Sequence, residues 1–344
     1  MSYAVRPLMN PHTHLREGDV LDPLAKMAVL GGARMLGPMP NTLAGLMTAK
    51  DVVDYRYQVN GAVAGTGTLV VGIVQMTGST TKEDIDDCVR SGIVDAKVYP
   101  RARTTMSGHG VSYHHRLIDL VRYAGERGVR VHFHPEHPSQ HFDNRDAEFA
   151  FLPTIDAMMA DTNTTIVWEH GTDGRCVPFF EDWAKTGRFY VTLTAHHLVE
   201  NETGTYGDVG AACKPPYKKE QDRRALVDLV ARNYFWVMAG GDDAPHPTNK
   251  KHVVGRCACG AYTAPFLLPL YAHALLRRVG LSVFENFTCL NARRLYYPVS
   301  QRDTDERLIL VEEPFVVPSS YSASSWTIEP FWSGRTIDYR LDAG

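Results

Sequence analysis

Two histidines one residue apart, His12 and His14, stand in the run Asn10-Pro11-His12-Thr13-His14-Leu15-Arg16, directly after an apolar stretch at residues 4–9. On an extended backbone alternate side chains point the same way, so the two imidazoles address one spot. Neutral imidazole donates a lone pair well suited to zinc-like cations, and a pair at this spacing can chelate one. An HxH can equally close a solvated strand. It gains weight because ligand-type residues recur in Asp95-Ala96-Lys97-Val98-Tyr99-Pro100, in Val131-His132-Phe133-His134-Pro135-Glu136, in Trp168-Glu169-His170 and in Gly241-Asp242-Asp243-Ala244-Pro245-His246. Taken singly, Lys97 reads as a solvated lysine, His170 as a hydrogen-bonded core histidine and Asp242 as a helix N-cap. Lys97 is the unusual member, because an ammonium has no lone pair and repels metals. Buried and deprotonated, a lysine can add carbon dioxide, and the carbamate then offers two oxygens that bridge two cations.

Those segments need a scaffold that brings them to one place. Short β-rich runs at 4–9, 33–38, 68–74, 94–99, 129–134, 165–170, 189–194 and 235–240 alternate with amphipathic runs at 50–63, 82–91, 113–127, 147–159, 177–186 and 219–232. Eight strands separated by helices predict an α/β chain closed into a (β/α)8 TIM-type barrel, whose catalytic groups sit at the C-terminal strand ends. An open doubly wound sheet is the runner-up and would gather ligands at one switch point instead. The chain reads as a single domain over 1–344. The barrel covers about 4–296, with one more helical stretch at 283–295. Residues 297–344, rich in Pro, Ser and aromatics from 306 on, form a strand-and-loop extension packed on it.

Composition narrows the class. The 344 residues are 44% hydrophobic and 22% charged, which suits a globular protein with a sizeable core, and a net charge of −3 gives no sign of a nucleic-acid surface. No run reaches the roughly 18–20 apolar residues of a membrane span. The N-terminus lacks a basic-then-apolar leader pattern, so the expected address is cytoplasmic. Six cysteines form no disulfide framework, and Cys257-Ala258-Cys259 lacks the second pair of a structural zinc site.

The set of an HxH, a strand-4 lysine, two further histidines and a strand-8 aspartate resembles the amidohydrolase superfamily. More closely, the chain resembles the type II dihydroorotases. The matching segments are His12-Thr13-His14-Leu15-Arg16, Met39-Pro40-Asn41, Lys97-Val98-Tyr99-Pro100 with Thr104-Thr105 and His109-Gly110-Val111, Glu169-His170, His197-Leu198, Asp242 to His246, and Thr263-Ala264-Pro265. Phe331-Trp332-Ser333-Gly334 in the tail is also similar. The resemblance implies two Zn2+ ions: one held by His12, His14 and Asp242, the other by His134 and His170, with an N6-carboxylysine at Lys97 bridging them. His132 and His134 share a face, so periodicity leaves both open as the strand-5 ligand; the family-like spacing to Pro135-Glu136 favours His134.

The resemblance further implies that Arg16, Asn41 and His246 hold a substrate carboxylate. It places the Leu198 backbone and Ala264 against the ring, and Thr104 and Thr105 on a loop that closes over it. Asp242 would shuttle the proton in the reversible cyclisation of N-carbamoyl-L-aspartate to L-dihydroorotate, a step of de novo pyrimidine synthesis. The expected partner is that small molecule, and the expected assembly a homodimer. Arg16 makes independent sense, because guanidinium grips carboxylate through paired hydrogen bonds and lies two residues beyond His14 on the same side of an extended chain.

Three departures stand out: Lys214 in the loosely matching segment 209–217, Gly241 where a threonine is usual, and Pro135 after His134. The alternatives are a hydantoinase- or dihydropyrimidinase-like cyclic-amide hydrolase, a phosphotriesterase-like lactonase, and a catalytically silent scaffold homologue. The first usually builds a β-sandwich partly from residues upstream of the barrel, and only eleven residues precede His12 here. The lactonase has little use for an anion site, and the silent homologue should lack a ligand, yet none is missing.

Overall fold

Arg6-Pro7 divides the first apolar run, because proline donates no hydrogen bond to a ladder. In a computed structural model, which describes all residues except 105–106, 113, 256, 302–304 and 343–344, β1 (Ser2–Val5) therefore pairs antiparallel with the tail. The first barrel strand is β2 (Leu8–Thr13). A single strand over 4–9 had merged the two. The correction puts His12 inside a strand rather than beyond its end.

The remaining barrel strands are β3 (Ala33–Pro38), β4 (Leu69–Val70), β5 (Val74–Met76), β6 (Asp95–Val98), β7 (Arg130–Phe133), β8 (Ile166–Trp168), β9 (Phe189–Leu193) and β10 (Val237–Ala239). β2, β3 and β4 pair in parallel, as do β5 through β10 in chain order. β4 and β5 are two halves of the third stave, read from sequence as 68–74. Closure comes from a parallel bridge between Thr13 and Asp243, with Asp242 N donating to His12 O at 2.9 Å and His14 N to Asp243 O at 3.2 Å. That seam makes a (β/α)8 barrel and excludes the open sheet.

Every residue of β2 and β6 is buried, as a parallel sheet covered on both faces requires. Local signals fix the helices around it. Thr48 and Thr81 each accept from the backbone N–H three residues on, while Asp51 and Asp84 reach back to cap the helices Ala49–Ala62 and Lys82–Arg90. The sequence range 283–295 catches only the end of a longer run, made of the helix Leu267–Glu285, a π turn at Asn286–Leu290 and the helix Asn291–Tyr296. The apolar first half of that run (Leu267, Leu268, Leu270, Tyr271, Ala272, all buried) has no polar face from which a helical period can be read.

The tail adds β11 (Leu308–Val316), β12 (Tyr321–Ala323), β13 (Trp326–Ile328) and β14 (Thr336–Leu341). β1, β11 and β14 form one antiparallel sheet, and β12 and β13 a hairpin. The extension reaches back to the strand ends through Phe331, which is buried and stacks on Tyr217 with ring centroids 6.4 Å apart.

Candidate active site

The strand ends bring the scattered ligand-type residues together. His12 Nε2 and His14 Nε2 both lie 3.1 Å from Asp242 Oδ1, so the two histidines do share a face. His12 and His170 have ring centroids 5.2 Å apart, and His134 and His170 4.5 Å apart. Lys97, fully buried, is in contact with Glu169, whose Oε2 is also 3.1 Å from His12 Nδ1. His12, His14 and Asp242 form one compact donor group, and His12, Glu169 and His170 a second.

Burial settles the protonation of this cluster. Desolvation lowers the pKa of His12, His134 and His170 and brings His14 down to about 4, so these imidazoles are neutral and keep a lone pair. The Lys97 amine is likewise pushed well below the ordinary lysine value. Burial alone would raise the Asp242 carboxyl, but His12, together with hydrogen bonds from His12 and His14, outweighs it and holds the carboxyl well below the usual range. His170 Nδ1 is buried without a hydrogen-bond partner. A neutral, buried lone pair beside a carboxylate and three other imidazoles is a donor set that fits a cation.

His132 is different. Its Nε2 lies 2.9 Å from Asp95 Oδ1 and its Nδ1 2.9 Å from Glu169 Oε1, while Arg130 grips both oxygens of Asp95 at 2.7 and 2.6 Å. Both ring nitrogens are answered by carboxylates. The histidine facing His170 is His134, just past β7, whose Nε2 is held by Glu136 Oε2 at 2.7 Å.

Backbone strain marks the same places. Seven non-glycine residues among those described have positive φ, and Arg16 (58°), His170 (43°) and Asp242 (44°) are three of them. Each costs about 1–3 kcal/mol, and such residues gather where function over-determines the chain. The strain also defeats strand alternation. It lets neighbours Glu169 and His170, and neighbours Asp242 and Asp243, all point inward. Asp243 serves the barrel seam, accepting from Thr13 Oγ1 at 2.6 Å and Asn10 Nδ2 at 2.9 Å. The departure at Gly241 follows, because a Cβ there would lie 2.4 Å from Asp243 Oδ1 and 2.7 Å from Leu267 Cδ2.

Beside the cluster sits a cationic pocket. Arg16 is buried, and burial lowers its pKa only to about 10, so it stays charged. Its Nε donates to Pro245 O at 3.0 Å, its Nη2 lies 3.3 Å from His246 Nε2, and Tyr55 OH donates to its carbonyl. It makes no carboxylate ion pair among the described residues. His246 Nε2 donates to Cys259 O at 2.9 Å, and Tyr99 OH donates to Asn41 Oδ1 at 3.0 Å. A cavity of about 1030 Å³ opens beside His246, lined by Thr104, Ser107, Lys214, His246, Cys257 and Cys259 among others. Arg103 anchors its Thr104 edge by donating to the carbonyls of His137 (2.8 Å) and Phe142 (2.9 Å).

Of the substrate contacts named from the sequence, Thr104 and His246 line this cavity, while Arg16, Asn41, Leu198 and Ala264 lie outside its lining. The Leu198 carbonyl accepts from Arg223 Nη1 at 2.8 Å and its N–H bonds Thr194 O, so both backbone groups are spent inside the fold. Ala264 is buried against the end of the first helix, where a Cβ on Gly31 would lie 1.8 Å from its carbonyl oxygen. Lys214 and Cys259 line the wall instead. Thr105 lies outside the described residues. Glu169, Tyr55, Tyr99 and Arg103 are supporting residues that strand periodicity could not nominate.

No model of a known protein family matches the chain. Among curated proteins it is 31% identical over 336 residues to the mitochondrial dihydroorotase of Oryza sativa subsp. japonica, covering 95% of this chain and 81% of that one. It is 30% identical over 340 residues to the dihydroorotase of Novosphingobium aromaticivorans, covering 96% of each. Among solved structures, the dihydroorotase of Saccharomyces cerevisiae in complex with 5-fluoroorotic acid superposes with a TM-score of 0.92 at 24% identity, covering 99% of this chain and 98% of that one.

Proposed function

The chain belongs to the dihydroorotase family, and from that membership we infer how its buried site interconverts N-carbamoyl-L-aspartate and L-dihydroorotate. The observation that carries the reading is the pairing of a lone-pair-rich histidine cluster with an unneutralised buried guanidinium at Arg16. The first suits metal-assisted amide chemistry, the second a substrate bearing a carboxylate.

His12, His14 and Asp242 would hold one zinc ion, His134 and His170 the other, with Lys97 as N6-carboxylysine between them. The support is the buried, neutral state of the imidazoles and the Lys97 amine, which can add carbon dioxide with loss of one proton. When bound, the metal pair would supply Lewis-acid polarisation of the ring carbonyl and lower the pKa of the attacking water. Arg16, Asn41 and His246 hold the substrate carboxylate and so fix which face of the ring meets the attack. Asp242 Oδ1, on which His12 Nε2 and His14 Nε2 converge, is the oxygen that would share the ion with them, which leaves Oδ2 to accept the water's proton and pass it to the leaving amide nitrogen. In ring closure the same oxygen carries the proton the other way. Thr104 and Ser107 close the cavity edge, and Lys214, whose ammonium donates to Asn144 Oδ1, lines the cavity wall.

The same reading takes 1–344 as one hydrolase unit, a cytoplasmic homodimer serving pyrimidine synthesis in the closing direction; no described helix is long and apolar enough to cross a membrane. A hydantoinase-like activity would leave Arg16 without a role. The deciding assay supplies zinc and bicarbonate and scores hydrolysis of dihydroorotate against hydantoin and dihydrouracil. Turnover of dihydroorotate alone is expected, and equal turnover of the neutral rings would reject the anion-site assignment.

A further inference from the structure

A second set of buried donors lies on the short helix Ala195–Val199 and the segment 209–217. His197 Nε2 is 3.4 Å from Cys213 Sγ and 3.1 Å from the Pro215 carbonyl oxygen, and Cys213 Sγ is 3.3 Å from that same oxygen. Those three edges nearly match a tetrahedral zinc site: bonds of about 2.0–2.3 Å imply ligand separations of about 3.3–3.8 Å. His196 supplies the fourth vertex, with a ring nitrogen within 4.8 Å of the His197 and Cys213 donors. It is fully buried, and neither of its ring nitrogens has a hydrogen-bond partner. An unmet buried polar group is destabilising, and a cation on one nitrogen would answer it.

We propose that His196, His197, Cys213 and the Pro215 carbonyl form a further cation site for a zinc-class ion, sharing no residue with the cluster at His12 and Asp242. The mixed nitrogen and thiolate donors select zinc, cadmium or cobalt over magnesium or calcium. Without the ion the triangle is held by hydrogen bonds, with the Cys213 thiol and His197 Nε2–H both donating to Pro215 O and the Thr194 hydroxyl donating to His197 Nδ1 at 2.7 Å. Binding balances simply. The Cys213 proton leaves to solvent, the His197 proton moves to Nδ1, and Thr194 Oγ1 turns from donor to acceptor, so one proton is released per ion. Burial pushes the free thiol's pKa upward, so the thiolate forms only with the ion in place. Because Lys214 and Pro215 belong to this loop, a bound ion would also fix the cavity wall.

The test titrates the full chain with Co2+ and follows sulfur-to-cobalt charge transfer in the near-ultraviolet, with proton release measured alongside. The cluster at the barrel mouth contains no sulfur and cannot produce the band. Wild type and the double variant C257S/C259S should show it, C213S should not, and H196Q should need at least about tenfold more Co2+. No band in wild type, or a band that persists in C213S, overturns the site; unchanged affinity in H196Q removes His196 from it. Dihydroorotate turnover by the zinc-loaded chain is scored separately, so loss of this site leaves the family activity standing.

Discussion

His132 and His134 stand two residues apart on one strand, share one face, and do different work. His132 lies in a lower layer where Arg130, Asp95, His132 and Glu169 answer one another completely. His134 lies in the layer above, among His12, His14, His170 and Asp242, where a buried lone pair on His170 goes unmet. The two layers meet at Glu169, one oxygen on His132 and the other beside His12 and Lys97. Residue type does not separate a structural histidine from a ligand here. The surroundings of each ring do: His132 is enclosed by Asp95 and Glu169, whereas His134 packs against His170.

The largest expected effect breaks the upper layer. Asp242→Asn should lower kcat/KM for dihydroorotate at least about 10³-fold in a steady-state assay, since it removes a proton carrier. The contrast itself is sharpened by a crossed pair. His134→Ala should lose activity and bound zinc, and by stranding the buried Glu136 carboxylate should also lower the urea midpoint of the metal-free protein. His132→Ala should cost about 3–5 kcal/mol of folding stability by stranding Asp95 and Glu169, but what remains folded should keep its zinc. Zinc lost from His132→Ala, or retained in His134→Ala, read by metal analysis, would refute the division into layers. Arg16→Ala should raise KM for dihydroorotate about 10–100-fold with metal content unchanged, the loss of a charge-assisted hydrogen bond.

A smaller effect is expected from acid. His14 and His246 are held near 4 and 3 by burial, below the 6.5 of an exposed imidazole. Below about pH 6.5 the unfolded chain takes up protons that the folded one refuses, so their contribution is full above 6.5 and is lost as pH falls toward those values. The metal-free protein should lose about 2 kcal/mol per such histidine between pH 7 and 5 in urea titrations, and a flat profile would contradict their buried neutral state. Smallest of all, Lys214→Met should change KM only about threefold, as befits a partly exposed charge at the cavity wall.

Much of this was legible in the chain. HxH on an extended run, a lysine and histidines at later strand ends, and eight alternating units together fixed the barrel and the ligand-type residues. What escaped was non-local or strained. Pairing of Ser2–Val5 with the tail depends on a strand three hundred residues away. The inward turn of Glu169 depends on positive φ at its neighbour, which a period of two cannot anticipate. Leu198 and Ala264 were named from the resemblance alone, whereas the cavity wall includes residues of the loops at 209–217 and 257–259. Between His132 and His134 only the family-like spacing to Pro135-Glu136 favoured the second, because periodicity cannot show that Asp95 and Glu169 claim the first.

The most direct measurement is an anomalous-scattering map at the zinc edge from crystals grown with zinc and bicarbonate. Two peaks are expected in the upper layer, one among His12, His14 and Asp242 and one beside His134 and His170, with density extending from Lys97 Nζ between them. A peak on His132, or none in that layer while Lys97 stays paired with Glu169, would contradict the account.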